Sequence, residues 1–222
     1  MSGAASLEAI RQALAPAIAE AAAFDGWSAD AVRNAALDSG RDLGISPDLA
    51  LLAFDGGKAM AMIAAWIAHV DTAMVAAVPA AELAGLSVRK RIRRLVVARL
   101  DAIAGREEAL RRALAIMALP RNLARSARMG WASADAMWRL AGDAAADYNH
   151  YTKRATLGGL YAATLSVFAG DTSEGKAETL AFLDRRIDGV MRFEKAKAQL
   201  LGGNGHHFSP ARFLGRLRYR VS

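Results

Sequence analysis

The sequence predicts an all-α protein. Alanine, leucine and arginine dominate it, and these, like its methionines, favour helix, while the alternating β-branched runs that mark strands are missing. Breaks rich in Gly, Pro and Ser cut the chain into segments of ordinary helix length.

The elements follow in order. A helix over Leu7–Phe24 ends at "DGWS", and Ser28–Ser39 starts with Ser28 as its N-cap. "GISP" opens Ser46–Phe54, capped by Ser46, and "DGGK" leads into Lys58–Val78. Past the loop "PAAELAGLS" come Val88–Ala104 and Arg106–Leu119, the latter ended by "LPRN". Leu123–Gly142 ends at "AGD" and Asp147–Ala169 follows. "AGDTSEG" then precedes Ser173–Leu201, with Ser173 as the cap. The organisation read from these breaks is a head at 1–57, a helical body at 58–201, a glycine-rich linker at 202–210 and a short tail at 211–222.

Over half of the 222 residues are apolar, enough to bury a sizeable core, and there is no cysteine. Disulfides, thiolate zinc sites and a Cys nucleophile are therefore excluded. The formal net charge of +7 invites an anionic partner, nucleic acid or membrane, or reflects an arginine-rich composition and nothing more. No run reaches the roughly 18 to 20 uninterrupted apolar residues of a membrane span. Ala59–Val78 comes nearest, punctuated by Trp66, His69, Asp71 and Thr72. The opening residues, with Glu8 and Glu20 and no basic start, read as neither a secretory signal nor a transit peptide. The expectation is a protein that is soluble or attached to a membrane from outside.

Three short helices joined by tight turns make the head a candidate helix-turn-helix. "FDGW" at Phe24–Trp27, then "LGISPDLALLAF" and Lys58, resembles the head of TetR-type regulators. Gly44, Ile45, Ser46 and Phe54 keep that framework, and Lys58 arrives one residue late. The reading helix, Pro47 to Ala53, offers Pro47, Asp48, Leu49, Leu51 and Leu52. It has no donor suited to base edges or phosphates, and its one acid would repel a phosphate. The framework argues for the fold, and the missing contacts argue against specific nucleic-acid binding.

The second half carries a closer resemblance. Trp138, the Ala141-Gly142-Asp143 turn, Asp147-x-Asn149-x-Tyr151-Thr152-Lys153-Arg154 and Leu183-Asp184-Arg185-Arg186-Ile187 stand in matching order with "GWSADAV", "SVRKRIRRLVVARLDAI" and "ALAIMALPRN". Together they resemble the ubiquinone-biosynthesis accessory-protein family. This is the ninth Coq protein of the usual enumeration, also called the rpsU-divergently-transcribed family. The resemblance implies a TetR-like homodimer that binds isoprenoid lipid or a ubiquinone intermediate, performs no chemistry and takes no cofactor. It would present the lipid to a di-iron demethoxyubiquinone hydroxylase and attach to a membrane through a C-terminal amphipathic helix. It also implies a bacterial cytoplasmic protein, peripheral to the inner membrane. The alternative is a TetR-type transcriptional regulator responding to an apolar ligand.

Carried over residue by residue, the docking surface of the family falls on Asp147, Asn149 and Tyr151, with His150 and Arg154 beside them. The family commonly has Trp where His150 stands. Equally, Asp147 caps a helix and Tyr151 covers a seam. The apolar continuation, Leu157, Leu160, Tyr161, Thr164, Leu165 and Phe168, recurs at helical spacing and reads as a lipid-pocket wall or as core. The neighbouring helix adds Met129, Trp131, Met137 and Trp138, residues that make adaptable walls. Gly158 and Gly159 each cost about 1 kcal/mol against alanine in mid-helix, which calls for close helix packing or room for a ligand.

An enzyme is not expected. No Glu precedes a His by three residues, as di-iron bundles require. His69 and His150 are scattered, and His206–His207 sit in the linker. No phosphate loop, dinucleotide fingerprint or nucleophile elbow occurs. In the tail, Phe213, Leu214, Leu217 and Val221 share one arc of a helical wheel, with Arg212, Arg216, Arg218 and Arg220 around it. Such a helix lies in a membrane interface or packs on the body of its own chain.

Overall fold

The computed structural model describes residues 6–143 and 148–202, and at 148, 149, 191 and 193–202 only the backbone is described. It is helical, with no strand among the described residues. The helices are α1 (Leu7–Asp25), α2 (Ala29–Asp38), α3 (Pro47–Ala53), α4 (Ala59–Ala77), α5 (Ala80–Ala84), α6 (Val88–Ile103), α7 (Glu107–Met117), α8 (Leu123–Leu140), α9 (Tyr148–Phe168) and α10 (Ala177–Gly202). The chain divides into two compact units at Ile187. The second unit, described to Gly202, is the continuation of the α10 helix.

In the head, α1 packs on α2 and α3. Ser28 Oγ accepts from Ala31 N–H, and Ser46 Oγ accepts from Leu49 N–H at 3.2 Å, so both expected caps are made. Between α3 and α4, Asp55, Gly56 and Gly57 all take positive φ. Gly57 is required there, because a Cβ would lie 2.6 Å from Ala29 Cα. Trp27 ties this end of the fold to the rest. Its Nε1–H donates to Ala109 O at 3.0 Å, and its ring lies 5.4 Å from that of Trp66.

α4 is the central helix, in contact with α1, α6, α7 and α8. By length and composition it could cross a membrane, but Met62, Ile63, Trp66, Val70 and Met74 are buried as the middle of a continuous core. That core runs from Ile10 to Ile187. Arg91 stitches its edge by donating to the carbonyls of Ala84, Leu86 and Ala141. Arg93 holds Asp184 of α10 in a two-bond pair at 2.6 and 3.1 Å.

Two boundaries differ from expectation. "PAAELAGLS" contains the five-residue α5, which buries Leu83. The last helix begins at Ala177, not Ser173, after a turn of 3-10 helix at Glu174–Lys176. The reason is Asp171, buried in the preceding loop, which accepts from the N–H and hydroxyl of both Ser173 and Thr179. These bonds, first those from Ser173 and then those from Thr179, hold its carboxyl far below the ordinary value.

Candidate functional site: an apolar cavity beside an aromatic patch

α4, α6, α7, α8 and α9 do not close completely on one another. They leave a cavity of about 490 Å³, within the range of small-molecule sites. α4 lends Ile63, Trp66, Ile67 and Val70, α7 lends Leu110, Leu114 and Met117, and α8 lends Met129, Gly130 and Trp131. Along α9 the wall is Arg154, Ala155, Gly158, Gly159, Tyr161, Ala162 and Leu165.

The glycine pair is explained by this wall. A Cβ on Gly158 would come no closer than 3.9 Å to Gly130 O, and one on Gly159 would meet nothing within 4 Å. Close packing does not require either glycine. They leave room.

Of the wall expected from sequence, Met129, Trp131, Tyr161 and Leu165 face the cavity. Met137, Leu157, Thr164 and Phe168 do not: all four are buried among the helices. Leu160 and Trp138 pack half-buried against the same core. The reason is rotation about α9. At about 100° per residue, the greasiest stripe, 157, 160, 164 and 168, is the face that packs inward. The cavity is bordered by the small-residue face, 155, 158, 159 and 162.

Arg99 and Ser133 of the wall escaped the sequence reading. Arg99 of α6 is 2% exposed and is paired with Asp71 of α4. It donates to Ser133 Oγ at 3.2 Å, and its guanidinium lies 4.8 Å from the Tyr161 ring centre. Ser133 in turn donates to Asp71 at 3.2 Å. The signal was present: Arg99 falls in register with Ile92, Leu95, Val96 and Ile103, on the buried face of its helix.

The start of α9 is clamped onto α8 by charge. Asp143 accepts from Lys153 Nζ at 2.7 Å and from Arg154 at 3.2 Å, and Arg154 Nε donates to Asp135 at 2.6 Å. Trp138 Nε1–H donates to Lys153 O at 3.0 Å. Burial raises the Asp143 pKa, but the bonds from Lys153 and Arg154 outweigh it and leave the carboxyl below its ordinary value.

Arg154 therefore does not belong to an exposed docking surface. It is 2% exposed and serves as the base on which the neighbouring residues stand. Tyr151 is 63% exposed, with its ring 5.9 Å from Trp131 and 5.3 Å from His150. Asn149 is described in its backbone only, and Asp147 lies outside the described residues, as do Phe213, Leu214, Leu217, Arg212, Arg216, Arg218 and the His206–His207 pair. Among the described residues no three His, Asp or Glu side chains gather as a metal site would need.

The architecture is that of the TetR class. A TetR transcriptional regulator from Nitrosomonas europaea superposes with a TM-score of 0.61 at 24% identity, over 80% of this chain and 95% of that one. Residues 123–194 match the COQ9 family, and the chain is similar to proteins named for ubiquinone biosynthesis. The Bos taurus ubiquinone biosynthesis protein COQ9, mitochondrial, is 28% identical over 88% of this chain and 61% of its own length. Xenopus laevis COQ9-A is 32% identical over 75% of this chain and 53% of its own. The Rattus norvegicus protein is 39% identical over 40% of this chain and 28% of its own. The chain thus spans less than two thirds of the length of these relatives.

Proposed function

We propose that this chain is a non-enzymatic, lipid-binding accessory protein of ubiquinone biosynthesis. In this reading it holds an isoprenoid quinone intermediate in the cavity among α4 and α6 to α9, and presents it to the demethoxyubiquinone hydroxylase. The COQ9 relatives support the pathway. One observation carries the rest: Trp131 belongs both to the cavity wall and to the exposed aromatic patch with Tyr151. A partner seated on that patch would stand at the cavity edge. The two charged side chains of the wall, Arg99 and Arg154, are paired with carboxylates of other elements, which suits a carrier better than a catalyst. A homodimer held at a membrane surface by the basic amphipathic tail completes the proposal.

The TetR-like fold favours one other reading, a ligand-responsive regulator. The exposed face of α3 speaks against it, since it offers Asp48 and a Leu52 that is 63% exposed.

Extraction of the purified protein followed by mass spectrometry is expected to yield quinones or other isoprenoids. Tyr151→Ala should weaken hydroxylase binding about thirtyfold, the ~2 kcal/mol of an interface anchor, with an almost unchanged melting temperature. An empty extract, or a large melting loss with unchanged affinity, would overturn the proposal.

A further inference from the structure

We infer that Tyr161 is the residue by which the cavity recognises its ligand: the phenol hydroxyl bonds an oxygen carried by an otherwise apolar molecule, with the indole N–H of Trp66 as a second donor. This rests on the cavity being a ligand site, and it adds which side chains read the ligand and what they read. Most polar side chains of the wall are engaged with the protein itself. Ser126 Oγ donates to Met117 O. Arg154 bonds Asp135, Asp143 and the carbonyl of His150. Arg99 and Ser133 are both joined to Asp71.

Tyr161, Trp66 and Trp131 differ. Among the described residues, neither Tyr161 Oη nor the Nε1 of either tryptophan has a hydrogen-bond partner, and none of the three atoms is sealed off within the protein. Trp131 is half-buried at the cavity edge, where water can serve its N–H. Tyr161 and Trp66 are only 7% and 3% exposed. Both line the cavity, so it is there that their polar atoms can be met.

Buried phenol and indole groups ordinarily find a partner, because leaving one unmet is costly. Both rings are also held in place. The Arg99 guanidinium lies 4.8 Å from the centre of the Tyr161 ring. Trp66 lies 5.4 Å from Trp27, whose own N–H donates to Ala109 O. An indole N–H can only donate and a phenol can do so, hence the group that serves both is an acceptor. A hydrocarbon filling the cavity would displace water from these groups and return no bond. A ketone or quinone oxygen restores the bond while the rest of the molecule meets the apolar wall.

The test uses the full chain, farnesylacetone and the hydrocarbon of the same skeleton without its oxygen. Each displaces a short-chain dimethoxybenzoquinone that quenches Trp66 and Trp131, both of which line the cavity. The ketone should bind about tenfold more tightly, the weight of such hydrogen bonds. Tyr161→Phe keeps the ring beside Arg99 and deletes a hydroxyl that bonds no described residue. Its melting temperature should hold, hydrocarbon affinity should be unchanged, and the preference should shrink to about threefold or less. Infrared spectra give a readout that packing alone does not move. The carbonyl band of the bound ketone should lie lower than in a hydrocarbon solvent, and return toward that position in Tyr161→Phe. Equal affinity for ketone and hydrocarbon, an unshifted band, or a preference and band unaltered by Tyr161→Phe would overturn the inference while leaving the cavity a ligand site. Failure of ketone, hydrocarbon and quinone alike to bind would remove the proposed function and this inference together.

Discussion

Gly158 and Gly159 provide the sharpest test of what the fold is for. If helix packing demanded them, alanine would clash and the protein would lose stability. The structure predicts the reverse. An added Cβ at 158 meets Gly130 O at 3.9 Å and Ala134 Cβ at 4.0 Å, both ordinary contacts, and at 159 it meets nothing within 4 Å. Neither residue has a positive φ. Each Gly→Ala change therefore recovers the mid-helix propensity difference of about 0.5–1 kcal/mol. Together they should add about 1–2 kcal/mol, a rise of roughly 3–6 °C in melting temperature for a chain of this size. Gly159→Phe is the counterpart: its ring would occupy the cavity edge, so quinone binding should fall at least tenfold with little change in melting temperature. Thermal melts and tryptophan quenching on the same four variants, the two single alanines, the double alanine and Gly159→Phe, read both effects. A drop in melting temperature on Gly→Ala would refute the reasoning and return the glycines to close packing.

Asp143→Asn should destabilise the protein by about 3 kcal/mol, because Arg154 is buried and loses one of its two carboxylates; a denaturant titration measures it. Asp143, Asp171 and Asp184 all titrate below their ordinary value of 3.8 in the folded protein. Each then contributes stability that is fully present above that value and lost as the pH falls below it, so melting temperature should decline from about pH 4 downward, and less steeply in Asp143→Asn. Selection from random duplexes at physiological salt should enrich no palindromic site, leaving only the salt-sensitive background of a basic protein. Removal of Ser209–Ser222, which lies outside the described residues, should leave folding intact and reduce sedimentation with anionic liposomes; unchanged sedimentation would mean that this segment packs on the protein.

How much of this was legible in the sequence depended on the range of the interactions involved. Helix ends were readable where one side chain caps its own first turn, as Ser28 and Ser46 do. They were misread where the cap comes from farther off: Asp171 reaches Thr179 over eight residues, a spacing that no N-cap rule scans. α5 was missed because five residues are too few to display a 3.6-residue period. The candidate site failed in a more instructive way. Hydrophobicity ranks faces by how strongly they seek burial, so it found the face of α9 that packs, with Leu157 and Phe168, and passed over the one that leaves space. A cavity wall is made by what is missing, and Gly158, Gly159 and Ala162 leave only a faint trace in any hydropathy pattern. The polar end was legible in principle, since Arg99 sits where its helix should be apolar. An ion on a core-facing position is either paired or poised for a ligand, and the partner, Asp71, interrupts the apolar run of α4 in the same fashion. Two charges breaking the pattern of two different helices, one of each sign, are therefore a stronger pointer to the site than the aromatic stripe beside it.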